Sequence, residues 1–317
     1  MEKEKYKELD IYQRSVELLN SFVKEVLDGD INGLAFFCLG DLEHDLKGKY
    51  TEPTGLSRGK QSDRKWLFDP DDTALARAGY CVLWGHLFNI GVDEEHFIGS
   101  CTEREDIAAP YRGDTMNSFN SVLGEPLANI PRRLKMYGLE KNIDIMAQAR
   151  TFYRTYHMIG NMILLPNRKE CLGFNRGRAD YKNGLRDYFD LFLMNIYEYQ
   201  NPGKVKFDQT IIKNGESVRQ LMEDNPEYMD LKIEDMKSLF ELDDYFDGDV
   251  PKNILGSDIA RFKITKCLDE VSKTEDHYTK EEYIKLVITY MDKCTELIHA
   301  RSMRLVKRIK EEISEKN

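Results

Sequence analysis

Between Thr279 and Ser314 the apolar residues Tyr283, Val287, Met291, Cys294, Ile298, Leu305 and Ile309 recur at intervals of three, four or seven. Such spacing holds one face along an α-helix. A helix of roughly 35 residues reaches about 50 Å, longer than a compact domain usually needs. It either protrudes, pairs with another copy or a partner, or forms a core helix with a frayed end. Arg301 interrupts the apolar face. With Arg304, Lys307, Arg308 and Lys310 it lies near the helix C-terminus, where positive charge complements the helix dipole, so these residues need no nucleic-acid partner to account for them.

The 317 residues, 41% of them hydrophobic and 11% aromatic, supply a core for one large domain or two ordinary ones. No apolar run is long enough to span a membrane, and the stretch MEKEKYKELD is charged where a signal peptide needs an apolar segment. The expectation is a cytoplasmic protein of a bacterium or its host, with no membrane partner. Cys38, Cys81, Cys101, Cys171, Cys267 and Cys294 form no C-x-x-C pair and no zinc spacing, which fits buried free thiols.

Helical periodicity runs through residues 5 to 28, and again through ALARAGYCVLWGHLFNIG, with Asp71 or Asp72 as its cap and Gly91 as its end. GDTMNSFNSVLG predicts a short helix capped by Asp114, and IDIMAQARTFYRTYH a longer one. MIGNMILLP is short, apolar and closed by proline, as a strand is. YKNGLRDYFDLFLMNIYEYQNP predicts a helix with Tyr188, Phe189, Phe192, Leu193 and Ile196 on one side, stopped by Asn201-Pro202. The fold class expected is mainly α with a small β element near residues 158 to 166. A core domain over 1–202 and a helical, acidic region over 203–317 are the expected divisions.

HMIGNMILLPNRKECLGFNRGRADYK, residues 157–182, crowds Gly, Asn, Pro and Arg around a short apolar run. As architecture, Gly160 permits a turn, Asn161 and Asn167 bond their own backbone, and Pro166 fixes the exit. His157 then bonds at a helix end. Together with GDTMNSF, NRG and DYFDLFL, the segment IGNMILLPN resembles the signature of an uncharacterised family of bacterial and phage proteins, a domain of unknown function, over roughly residues 90 to 200. That resemblance implies a shared fold and carries no known activity.

HMIGNMILLPN with Asn175 and Lys182 is also similar to the closing half of the HNH-like nuclease domain of GmrSD-type restriction proteins. What this resemblance implies is a metal-dependent nuclease, with one divalent metal, a histidine base and polar side chains on the scissile phosphate. Carried onto this chain, the catalytic set is His96, Asn161 and Asn175, with Glu95 as metal ligand. The chain departs from the pattern at Glu170, where an Asn is usual, and at Gly99-Ser100-Cys101, where a proline segment is usual.

Other catalytic and phosphate-binding motifs are missing: there is no Gly-rich phosphate loop, no G-x-S-x-G and no H-E-x-x-H. DDYFDGDV begins like a calcium loop, yet Tyr245 and Ile254 stand where oxygen ligands are needed.

The formal charge of −10 is concentrated: between Glu223 and Asp249 eleven acids face two lysines. Within that segment LFELDDYFDGDV sets Phe240, Tyr245 and Phe246 among Asp243, Asp244 and Asp247. Aromatic area with negative charge suits a surface that docks onto a basic protein partner. The alternative is a solvated acidic face whose rings point into the core. The function expected is a binding factor of phage or mobile-element type that inhibits or regulates its partner, for instance an anti-defence protein acting on a nucleic-acid-processing or host-defence complex. It needs no cofactor, and it associates with further copies through the long helix. The alternative is the HNH-like nuclease, for which a divalent metal and nucleic acid are required.

Overall fold

The computed structural model describes residues 1–42, 50, 73–92, 111–117, 143–166, 189–207, 230–254 and 280–314. The fold is mainly helical with two small antiparallel sheets, as the periodicities require. The chain divides into two compact units, each assembled from separated stretches. The first comprises Met1–Thr115, His157–Phe174 and His299–Asn317; the second comprises Met116–Tyr156 and Asn175–Ile298.

In the first unit the opening helical pattern forms two helices, α1 (Lys3–Lys7) and α2 (Asp10–Val26). Leu9 between them is extended at φ −71° and ψ 142°. The Gln13 side chain donates to the Lys7 carbonyl, satisfying an orphan group at the break. Freed from α1, α2 turns Ile11, Tyr12, Val16, Leu19 and Phe22 inward, and that face packs along α3 (Ala74–Trp84).

Thr73 caps α3, its Oγ1 accepting from Ala76 N at 3.1 Å, a role expected of Asp71 or Asp72. Nor does α3 run on to Gly91. It stops at Trp84, where Leu87 N donates to the Trp84 carbonyl and Ile90 N to that of Gly85. Close packing explains the glycines. A Cβ at Gly85 would lie 1.9 Å from Tyr6 Oη, and one at Gly91, which has φ +73°, would lie 2.2 Å from Ile11 Cδ1.

Strand β1 (Tyr111–Thr115) pairs antiparallel with β2 (Met162–Pro166), Asp114 opposite Ile163 and Tyr111 opposite Pro166. The strand predicted near 158–166 is therefore present. Residues 113–115 are strand and not the start of a helix. Asp114 consequently caps no helix there; its Oδ1 accepts from the next amide, Thr115 N, at 2.9 Å. Met162, Ile163, Leu164 and Leu165 are all buried, so both faces of β2 are covered and its apolar run is continuous.

The second unit contains α4 (Ile143–Tyr156), α5 (Phe189–Gln200), α6 (Ile233–Leu239) and a hairpin of β3 (Phe246–Asp247) and β4 (Val250–Pro251). Every residue of α5 from Phe189 to Tyr197 is buried. That makes α5 a helix buried on all sides, Asp190 and Asn195 included, where one apolar face was predicted. Asn201-Pro202 follows its end as expected. Helix α7 (Lys280–Ser314) realises the long predicted pattern. Tyr290, Met291, Cys294 and Ile298 are core residues of the second unit, and Leu305, Val306, Ile309 and Ile313 of the first.

Cys38, Cys81 and Cys294 are free and buried. Burial pushes the Cys81 thiol up to about 11, against smaller downward effects of hydrogen bonds with Ser15 and Tyr6. A thiol so placed is a small hydrophobe. The other three cysteines lie outside the described residues. Among the described residues no helix is long and apolar enough to cross a membrane.

Candidate functional site

Ile159–Asn161 form a single 3₁₀ turn that leads directly into β2. Its amides and carbonyls are buried, so they need partners from elsewhere. Helix α7 supplies them: Ser302 Oγ accepts from Gly160 N at 2.9 Å, and Arg301 Nη1 donates to the Gly160 carbonyl at 2.8 Å and to the Met162 carbonyl at 2.7 Å. The Arg301 guanidinium also lies over the Trp84 ring, 5.9 Å from its centroid. Upstream, the His157 carbonyl accepts from Leu39 N at 3.0 Å.

Arg301 is thus an internal clamp, fully buried, and not part of a solvated basic helix end. The sequence carried a signal for it. Cys294, Ile298, Arg301, Leu305 and Ile309 follow core spacing, so the apparent break in the apolar face is a charged residue standing in the core stripe.

Of the nuclease set, Asn161 alone falls among the described residues; Glu95, His96 and Asn175 lie outside them. Asn161 is 0% exposed. Its side chain is enclosed in the turn. Among the described residues, no group of three or more His, Cys, Asp or Glu side chains is placed to hold a metal ion.

The acidic and aromatic segment is ordered by its turns. Helix α6 ends in a Schellman motif: Leu242 N donates to the Lys237 carbonyl at 2.8 Å and Glu241 N to that of Ser238 at 3.4 Å, with Glu241 left-handed at φ +55°. A 3₁₀ turn over Asp243–Tyr245 follows, then the hairpin. Gly248 takes the first position of its two-residue loop at φ +61°, as such hairpins demand. Lys237 locks these pieces together. Its Nζ donates to the Gly248 carbonyl at 2.7 Å, lies 3.8 Å from Asp243 and sits 5.6 Å from the centroid of the Phe246 ring.

The consequence corrects the expected surface. Phe240, Tyr245 and Phe246 are 0%, 1% and 4% exposed, so the rings belong to the core. Tyr245 meets Phe189 edge-on at 5.3 Å, and its Oη accepts from Asn117 Nδ2 at 2.6 Å. Asp190, buried at the start of α5, accepts from Ile254 N at 3.0 Å beyond the hairpin. Asp243, Asp247 and Asp249 are exposed and Asp244 is half-buried. Short turns of changing type alternate these residues, rings inward and carboxylates outward. Sequence periodicity missed Asn117, Asp190 and Lys237, whose partners are distant in the chain or in a turn.

Compared with known proteins, the chain matches no family model, no curated protein and no solved structure.

Proposed function

We propose that the chain is a protein-binding factor whose acidic ridge, Asp243, Asp247 and Asp249 with the half-buried Asp244, docks onto a basic surface of its partner. The observation that carries this reading is the exposure of these carboxylates on a frame held by the buried rings and by Lys237. Phe240, Tyr245 and Phe246 do not touch the partner. They fix the ridge from behind, which lowers the ordering cost of binding, while the carboxylates steer approach.

The resemblance to bacterial and phage proteins supports a factor of phage or mobile-element origin that blocks a nucleic-acid-processing or host-defence complex in the cytoplasm. Enclosure of Asn161 weighs against the HNH-like nuclease with His96 and Asn175. That alternative would be revived by metal-dependent cutting of plasmid DNA lost in His96→Ala.

The test is affinity capture with the full chain in its native host. One basic protein should be recovered with the wild type and released by the triple reversal Asp243→Lys, Asp244→Lys and Asp247→Lys, with an unchanged circular dichroism spectrum. Equal recovery by both proteins would refute the reading.

A further inference from the structure

In the first unit Leu39–Asp41 form a short 3₁₀ turn, and Cys38 precedes it in an extended conformation at φ −84° and ψ 110°. The turn is tied to the segment before β2, because Leu39 N donates to the His157 carbonyl at 3.0 Å. Side chains meet beside that bond. A Cβ placed on Gly40 would lie 3.0 Å from His157 Nδ1 and 3.4 Å from Cys38 Sγ, so the thiol and the ring nitrogen border one small gap over a residue that has no side chain to fill it.

A cysteine and a histidine held in this way are the pairing that makes a thiol reactive: the imidazole takes the proton, and the imidazolium then stabilises the thiolate. The other described cysteines are placed differently. Cys81 bonds with Ser15 and Tyr6, and Cys294 with Tyr290. Burial pushes the Cys81 thiol up to about 11 and the Cys294 thiol well above its ordinary value, which leaves both protonated and inert. Both are 0% exposed, whereas Cys38 is 5% exposed and its neighbours Gly40 and His157 are half-buried. A reactant that reaches Cys38 has to be small, which favours a peroxide over a bulky electrophile or a protein disulfide.

We infer that Cys38 is a modification site that reacts with hydrogen peroxide, with His157 as its base. His157 Nδ1 takes the thiol proton as the sulfur attacks one peroxide oxygen; the S–O bond forms and the O–O bond breaks. The departing hydroxide takes that proton back from the imidazolium and leaves as water. Sulfur is oxidised from thiol to sulfenic acid, the peroxide is reduced, and His157 returns to its neutral form.

The experiment treats the purified, reduced full chain with hydrogen peroxide in the presence of dimedone, which traps sulfenic acid, and reads the labelled fraction of each cysteine peptide by mass spectrometry. In folded wild type Cys38 should be labelled while Cys81 and Cys294 stay unlabelled, and in urea the preference should vanish. His157→Asn, which keeps a polar atom near the Nδ1 position but cannot take the proton, should slow labelling of Cys38 about a hundredfold. Gly40→Ala, whose Cβ would occupy the gap, should slow it as well. Continued protection of Cys81 and Cys294 shows that a variant is folded.

Cys38 labelled no faster than Cys81 and Cys294 in folded wild type overturns the inference, and that comparison needs no variant. Folded His157→Asn protein whose Cys38 reacts at the wild-type rate also overturns it, because exposure alone then accounts for the labelling. Should His157→Asn lose protection of Cys81 and Cys294, Gly40→Ala decides the point in the same way, unchanged labelling of Cys38 being the result that sinks the pairing.

Discussion

The Tyr245 hydroxyl accepts a 2.6 Å hydrogen bond from the amide of Asn117, 128 residues earlier in the chain. Both groups are buried, so neither has water to fall back on. Tyr245→Phe should cost about 1–2 kcal/mol because the amide loses its acceptor, and Tyr245→Ala about 3–5 kcal/mol because a cavity is added. Urea unfolding measures both. Capture of a partner by folded Tyr245→Phe protein should be unchanged, which separates a supporting ring from a contacting one.

Arg301 should be intolerant of substitution. Arg301→Met keeps the apolar volume but strands the carbonyls of Gly160 and Met162, which the guanidinium now satisfies. A loss of about 3 kcal/mol or more is expected. Arg301→Lys should recover only part of it, since a point charge cannot span two carbonyls as the planar fork does. Chemical denaturation followed by tryptophan emission would read both the stability and the loss of the cation over Trp84. Equal stability of the three proteins would contradict the clamp.

Glu241 occupies the left-handed position that ends α6, at φ +55°. Glycine adopts that conformation without the Cβ penalty. Glu241→Gly is therefore expected to raise stability by about 0.5 kcal/mol, the gain being reduced by the greater freedom of the unfolded chain. Thermal unfolding should show an increase in Tm; a decrease would mean that the carboxylate makes a stronger contact than the backbone strain it imposes.

Acid should destabilise the first unit through His86. Burial, with Lys3 next in importance, lowers its folded-state value to about 4 from an ordinary 6.5. The unfolded chain then binds the proton more readily, so stability is complete above about pH 6.5 and falls as pH drops from there to about 4. With the ring partly open to solvent, a loss of about 1–2 kcal/mol is expected after screening. His86→Gln should flatten that part of the pH profile of unfolding. An unchanged slope would assign the acid sensitivity to other groups.

The elements set by local periodicity were legible: the long helix from Lys280, the strand after Gly160 and the stop at Asn201-Pro202 all follow from spacing and turn chemistry. Boundaries settled by distant neighbours were not. Nothing near Leu9 announces the break before α2, and it is Tyr6 and Ile11, distant in the chain, that leave no room for a Cβ at Gly85 and Gly91 after α3. The acidic segment shows the same limit more sharply. Its composition announced aromatic area beside charge, but the direction of each ring depends on a Schellman turn, a 3₁₀ turn and a lysine clamp in succession. Arg301 was visible as an interruption, and its true role needed the observation that the interruption keeps core register.

The bonds from Arg301 and Ser302 to Gly160 bridge separations of 141 and 142 residues. During synthesis the turn and β2 emerge long before the side chains that satisfy them, and until residue 302 leaves the ribosome their buried carbonyls have no native acceptor-to-donor match. The first unit therefore closes only after its nascent chain has held an unfinished, apolar strand while the next 141 residues are made. Slow ribosomes, or early stops after β2, would expose that strand to chaperones or to aggregation.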